Sequence, residues 1–193
     1  MNDGTPGGQW VDQILSTHAG NHTGVAFDVR SSGQPVVVVE DTTTMSLYTT
    51  SSFTALEQDV ATTGTMGQWL GSTTTHDNKQ LLAYTSGLGR QIFSATQETS
   101  GWQTEMVRTN ANLASAIEVH VDSLNTPHLI YRHDDINQLE VAVGGASWTL
   151  TDLGNSGEAV STHHPALMLS NDSLAVGLVS VSYTHLTLPT TML

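Results

Sequence analysis

The sequence predicts an all-β fold, a β-propeller fragment of about four four-stranded antiparallel blades with a repeat of about 46 residues. Three observations predict it. Aromatic residues at Trp10, Phe53, Trp102 and Trp148 recur at spacings of 43, 49 and 46 residues, and periods of this size indicate solenoids or propellers. Within each period, short runs rich in Val, Ile, Leu and aromatics are separated by Gly, Asn and Pro turns, which is the plan of a blade. No segment sustains a 3.6-residue apolar period, which disfavours helical repeats. A β-sandwich is the main rival, but it has no reason to repeat four strands at a nearly fixed period.

The strands follow in order. The innermost strands read as 25–29, 69–72, 117–121 and 166–169. Residues 113–121 could pass for a helix, yet Ile117, Val119 and Val121 alternate as a strand does. After a turn come 33–39, 78–84, 125–131 and 171–176, then 46–50, 91–95 and 138–142. The Trp or Phe segment supplies the outer strand. Three whole blades result, 25–60, 68–107 and 117–153, with an incomplete fourth starting near Pro165. Residues 10–14 belong either to a preceding blade or, as an exchanged outer strand, to the fourth; both phasings stay open.

Residues 1–180 are expected to be propeller, and 181–193 a non-native tail. Val181-Ser-Tyr-Thr-His-Leu-Thr-Leu-Pro-Thr190 resembles a translated sequencing-library adapter over ten consecutive residues, and such segments are set aside from fold reasoning. Thr184 to Leu188 also alternates polar and apolar, as a strand would.

Composition narrows the function. Only 12% of the residues are charged, and eighteen acids against five bases give a net charge of −13. Such a surface repels phosphate backbones and anionic lipid, so no nucleic-acid partner is expected. No apolar run approaches the roughly 20 residues of a membrane helix, so no membrane insertion is expected either. Met1-Asn-Asp-Gly lacks the basic start and apolar stretch of a signal peptide. The absence of cysteine excludes disulfides and thiolate metal sites.

A repeated pattern carries a family resemblance. It runs Trp-x-x-Glu-x-Val, an apolar strand, Gly/Asn-x-Pro-His-(apolar)-x-Tyr, then Leu-x-(apolar)-Ala. The best copy extends from Trp102 to Ala142 and includes Asn125, Pro127, His128, Tyr131, Leu139 and Ala142. Over residues 9–180 the chain thereby resembles bacterial extracellular repeat propellers. It is sialidase-like only in a general sense, because the Asp-box Ser-x-Asp-x-Gly-x-x-Trp is absent and Ser100-Gly-Trp102 is too short for it. The resemblance implies an extracellular or cell-surface location and carbohydrate or protein binding; it implies no cofactor.

Polar chemistry is densest at Arg132-His133-Asp134-Asp135. Glu40 and Asp41 occupy the equivalent loop of an earlier blade, with Thr85 and Ser86 between. These loops leave equivalent strand ends, so a propeller would gather Glu40, Asp41, Arg132, His133, Asp134 and Asp135 on one rim, the candidate ligand site. A solvated loop is the plain alternative. His18, His22, His163 and His164 would border the same rim, but adjacent histidines on a strand point to opposite sides, so no metal site is assigned. His120 and His128 read as structural, satisfied by backbone. The recurring Trp residues read as packing between blades, and Trp69 as a plug or lip of a central channel. No phosphate loop, nucleophile elbow or His-Glu-x-x-His pattern occurs.

Two function classes follow. One is a noncatalytic module binding a glycan or protein, or serving as a structural repeat of a larger surface protein. The other is a fragment of a polysaccharide hydrolase or lyase, which needs paired carboxylates, or a Tyr–Glu pair with clustered arginines for an acidic sugar. Arg30, Arg90, Arg108 and Arg132 are dispersed among the repeats.

Overall fold

The computed structural model describes residues 22–41, 46–50, 58–61, 66–86, 90–109, 114–133, 138–144, 147–155, 166–170 and 173–177. Trp10, Phe53, Asp134, Asp135, His163, His164 and residues 181–193 lie outside the described residues. The described strands form antiparallel sheets in simple meander order. The first sheet holds β1 (His22–Val29), β2 (Pro35–Asp41), β3 (Ser46–Thr50) and β4 (Gln58–Ala61). The second holds β5 (Met66–Thr74), β6 (Gln80–Ser86), β7 (Gln91–Glu98) and β8 (Gly101–Arg108). The third holds β9 (Ala114–Val121), β10 (Pro127–His133), β11 (Gln138–Val143) and β12 (Thr149–Asn155). A two-stranded sheet of β13 (Ala166–Ser170) and β14 (Ser173–Gly177) follows. No helix occurs among the described residues, and Ala114–Val121 is a strand. The chain is thus all-β with four-stranded antiparallel sheets, and closure into a ring is not seen among the described residues.

The sheets stack through their first strands: β5 lies against β1 on one side and β9 on the other, and β13 lies against β9. Period two along each strand divides the side chains between two cores. On β6, Leu82 and Tyr84 join Ala26, Val36, Val38 and Val60 of the first sheet. Leu81 and Ala83 join Ile117, Val119, Leu129 and Tyr131 of the third. Every residue of β6 is therefore buried. That explains why Gln80-Leu-Leu-Ala-Tyr reads as a nearly continuous apolar run rather than an alternation. Each Val, Leu or Ile so buried contributes about 1.5–3 kcal/mol relative to exposure. Trp69 packs on the core between the second and third sheets.

Close approach of the inner strands requires a glycine. A Cβ on Gly71 would lie 3.1 Å from the Ile117 carbonyl oxygen and 3.3 Å from the Val119 nitrogen. Both contacts are backbone, which cannot swing aside.

The three turns after the inner strands are built alike. Arg30, Thr75 and Asp122 each donate their backbone N–H to the carbonyl four positions on and accept at their own carbonyl from the N–H three positions on; Thr75 Oγ1 and Asp122 Oδ1 also accept from the N–H four positions on. The residue three positions on has positive φ: Gly33 at 78°, Asn78 at 66° and Asn125 at 63°. Gly and Asn are the residues that tolerate this region. The turns are also tied to one another. Ser31 Oγ donates to Asn78 Oδ1 (3.0 Å) and His76 N donates to Asn125 Oδ1 (2.6 Å). Thr74 Oγ1 donates to Asp28 Oδ2 (2.6 Å), and Arg30 Nη2 to Gln97 Oε1 (2.7 Å), so polar bonds fix the relative height of the first two sheets. The Asn of the repeat motif thus shapes its own turn and anchors the preceding one.

Two variants separate those roles. Asn125→Gly keeps the backbone conformation and loses the bond to His76, whereas Asn125→Ala loses both. Urea denaturation is expected to show a loss of about 0.5–1.5 kcal/mol for the glycine variant. The alanine variant should lose roughly 1–2 kcal/mol beyond that, the cost of a left-handed residue with a Cβ. Gly71→Val should cost about 1–3 kcal/mol by wedging β5 from β9, read by the same denaturation.

Candidate functional site

Two polar assemblies form between the second and third sheets, one buried and one open. The buried one centres on Glu140 of β11, 7% exposed. In the β10–β11 register Tyr131 stands opposite Glu140, and its hydroxyl donates to Glu140 Oε2. His133 lies two residues along the same face, with Nε2 3.2 Å from that oxygen. Arg108, at the end of β8 in the second sheet, donates from Nη1 to Glu140 Oε1 (2.8 Å). A carboxylate buried between sheets needs such partners, since an uncompensated one costs several kcal/mol. The Arg108–Glu140 bond therefore ties the outer part of the second sheet to the middle of the third.

The trio of tyrosine, glutamate and arginine resembles the set that a hydrolase of acidic sugars would need, but its setting is wrong for attack on a substrate. Tyr131 is fully buried. Burial first, then the hydrogen bond to Glu140, pushes the Tyr131 phenol well above its ordinary pKa, so it stays protonated. A phenol held as a donor inside a core acts as a structural clamp.

The open assembly is a cleft of about 300 Å³ lined by Leu81, Ser94, Thr96, Glu105, Leu124, Asn125, Thr126, Pro127 and Trp148. Period two builds its polar wall. On the face of β7 towards the third sheet, Ile92 is core, while Ser94 and Thr96 reach the cleft. Glu105 of β8 pairs with Ser94 across the ladder. The opposite wall comes from the β9–β10 turn and from Trp148, which precedes β12. Gly144 makes this wall: a Cβ there would overlap the Pro127 ring and lie 3.1 Å from Trp148 Cη2. The half-buried indole therefore sits beside Pro127 over the edge of the core.

Beneath the cleft, Asp122 stiffens the turn. Burial opposes its charge, but bonds from Thr126, His128 and the Leu124 nitrogen outweigh that and hold its pKa below the usual carboxylate range. His128 contacts Asp122 Oδ2 at 3.4 Å, so its partner is a carboxylate and not the expected backbone group.

Of the predicted rim residues, four lie at the ends of the equivalent strands β2 and β10. Glu40 and Asp41 are the last residues of β2, paired with Leu47 and Ser46, so they belong to a strand rather than a loop. His133 likewise ends β10 and is 3% exposed, committed to Glu140. Arg132 precedes it in the strand and so faces the opposite side of the sheet. Asp134 and Asp135 lie outside the described residues. Of the four arginines, Arg30 bonds Gln97 and Arg108 bonds Glu140. Sequence reasoning assigned Trp148 to packing and placed Glu105 only as part of the Trp-x-x-Glu pattern. The signal available for the cleft was that the pattern's glutamate falls on an outer strand, three residues after its tryptophan.

The clamp makes a pH prediction. In the unfolded chain Tyr131 ionises near pH 10, whereas in the native state it remains protonated above that pH. The unfolded state then binds fewer protons, so stability falls as pH rises past about 10 towards the native pKa. Tyr131→Phe is expected to lose about 1.5–3 kcal/mol at pH 7, a hydrogen bond to a charged group. It should also show a shallower decline than the wild type in urea titrations between about pH 9 and 11.

No protein-family model matches the chain. No curated protein matches its sequence. Among solved structures, a fucose lectin from Kordia zhangzhouensis in complex with methyl-fucoside is similar over 66% of this chain and 97% of that chain. The identity is 12% and the TM-score 0.43, a likeness that assigns neither ring closure nor ligand to this chain.

Proposed function

We propose that this chain is a noncatalytic carbohydrate-binding module of a repeat β-propeller, and that the cleft between the second and third sheets holds a neutral sugar. The observation that carries the reading is the composition of the cleft. Trp148 and Pro127 offer an apolar face, while Ser94, Thr96, Glu105 and Asn125 offer hydrogen-bonding groups beside it. A sugar ring has that same division, with apolar C–H patches and equatorial hydroxyls. Its volume of about 300 Å³ is at the small end of ligand sites, which suits one or two sugar units. A carboxylate accepts hydrogen bonds from hydroxyl groups strongly, and it repels acidic sugars, as does the net charge of −13. An extracellular or cell-surface location accords with a glycan ligand and is part of the same proposal.

The rim of Glu40, Asp41, Arg132, Asp134 and Asp135 enters the proposal as a peripheral contact for an extended glycan. Pro127 at the cleft and His133 at the rim are opposite ends of β10, ~20 Å apart at strand rise. One monosaccharide cannot touch both. The burial of His133 removes it from the set.

A glycan array followed by titration calorimetry tests the reading. The wild type is expected to bind neutral glycans and to ignore sialylated and uronic-acid ones. Trp148→Ala should weaken binding by at least about tenfold, and Glu105→Gln by a smaller factor, with the circular dichroism of both unchanged. Binding that survives Trp148→Ala undiminished, or a preference for acidic glycans, would contradict it.

A further inference from the structure

The polar side chains of the cleft fall into two sets, those already bonded to the protein and those left over. On the turn of the third sheet, Asn125 Oδ1 accepts from His76 N, and Asn125 Nδ2 lies 3.4 Å from Asp77 Oδ1. The Thr126 hydroxyl donates to the Asp122 carboxylate. The facing wall differs. Ser94 and Thr96 of β7 and Glu105 of β8 have no side-chain hydrogen bond to any described residue, and every residue lining the cleft is a described one. Ser94 stands out among them, because it is only 4% exposed. A buried hydroxyl left without a partner is destabilising, and such groups are rare in native proteins. At the cleft wall, a bound ligand is the partner it can gain.

We propose that Ser94 is the specificity-determining residue of the cleft, and that with Glu105 it selects a sugar carrying two adjacent free hydroxyls. This rests on the reading of the cleft as a neutral-sugar site. Ser94 and Glu105 stand opposite each other in the β7–β8 register, where facing Cβ atoms lie about 5 Å apart. Two groups so placed meet neighbouring atoms of one small ligand, not its opposite edges. Their chemistry is complementary as well. A carboxylate only accepts, so its partner is a hydroxyl that donates. A serine hydroxyl donates or accepts, so it takes the next hydroxyl in either sense. Ser94 is buried and Glu105 exposed, so one hydroxyl enters the cleft and its neighbour stays at the mouth.

The apolar wall fixes which way the ring turns. With a C–H face on Trp148 and Pro127, the hydroxyl edge is directed to β7 and β8. Thr96 lies ~7 Å further along the same face of β7, too far to share the hydroxyl that Ser94 meets. Selection by a buried polar group is strong, because a ligand lacking the matching hydroxyl leaves that group unpaired. The free protein carries the same unpaired hydroxyl, so its removal separates stability from binding.

Titration calorimetry of the full chain with the methyl glycosides of galactose, glucose and mannose, and with their monodeoxy analogues, tests the proposal. Ser94→Ala is expected to weaken binding of the preferred glycoside about five- to tenfold. Urea denaturation of the free variant is expected to show no loss of stability. For one monodeoxy analogue, Ser94→Ala and the wild type bind equally. For the analogue deoxygenated at an adjacent ring carbon, Glu105→Ala and the wild type bind equally. Destabilisation by Ser94→Ala overturns the proposal, because the hydroxyl then has a structural partner. So does undiminished binding by Ser94→Ala, or a pair of matching analogues whose missing hydroxyls are not adjacent. A wild type that binds none of these glycosides contradicts the neutral-sugar reading itself, and this inference with it.

Discussion

Burial of the second sheet on both faces is the constraint on which the rest of this structure depends. A four-stranded meander offers two apolar faces, and neither can be left to water without losing most of the burial that stabilises it. β6 meets the demand by sending Leu82 and Tyr84 one way and Leu81 and Ala83 the other. For both neighbours to close on it, the inner strands must approach to backbone contact, which Gly71 permits. The first sheet has a partner on one face only among the described residues, and Val25, Phe27 and Val29 on the other are exposed.

Stacking alone does not fix how the sheets sit relative to one another, since apolar contact has no preferred register. Directional bonds supply it at both ends of the strands. At one end the turns are linked through Asn78 and Asn125. At the other, Arg108 crosses to Glu140, and Tyr131 and His133 satisfy the rest of that carboxylate. With the sheets held at both ends, a gap lined by Trp148 and Glu105 remains between an outer strand of the second sheet and the turn of the third. The cleft is therefore a consequence of the stacking. Its floor is core and its walls are strand and turn, so its shape does not depend on an adaptable loop.

Much of the architecture was legible in the sequence because period two and turn chemistry are local. Ile117, Val119 and Val121 alternate, and Asn78 and Asn125 mark turns, so the strand order and the units at 25–60, 68–107 and 117–153 correspond to the described sheets. The site was much less legible. Glu105, Asn125 and Trp148 come from three elements in two sheets and meet only through packing that Gly144 and Pro127 permit. The pair Arg108 and Glu140 is 32 residues apart and leaves no local mark. The densest polar run, Arg132 to Asp135, shows how little a run says about which side chains face one way. Its first two members belong to a strand, where alternation sends Arg132 to one face and His133 into the clamp.

If stacking governs the structure, the sheets gain stability together and not one by one. Native-state hydrogen exchange resolved by strand measures this directly. The account predicts that amides of β6, β9 and β10 share one opening free energy equal to that of global unfolding, with the edge strands β8 and β12 exchanging sooner. Exchange of the second sheet through a local opening far below the global value, while the third stays protected, would contradict it.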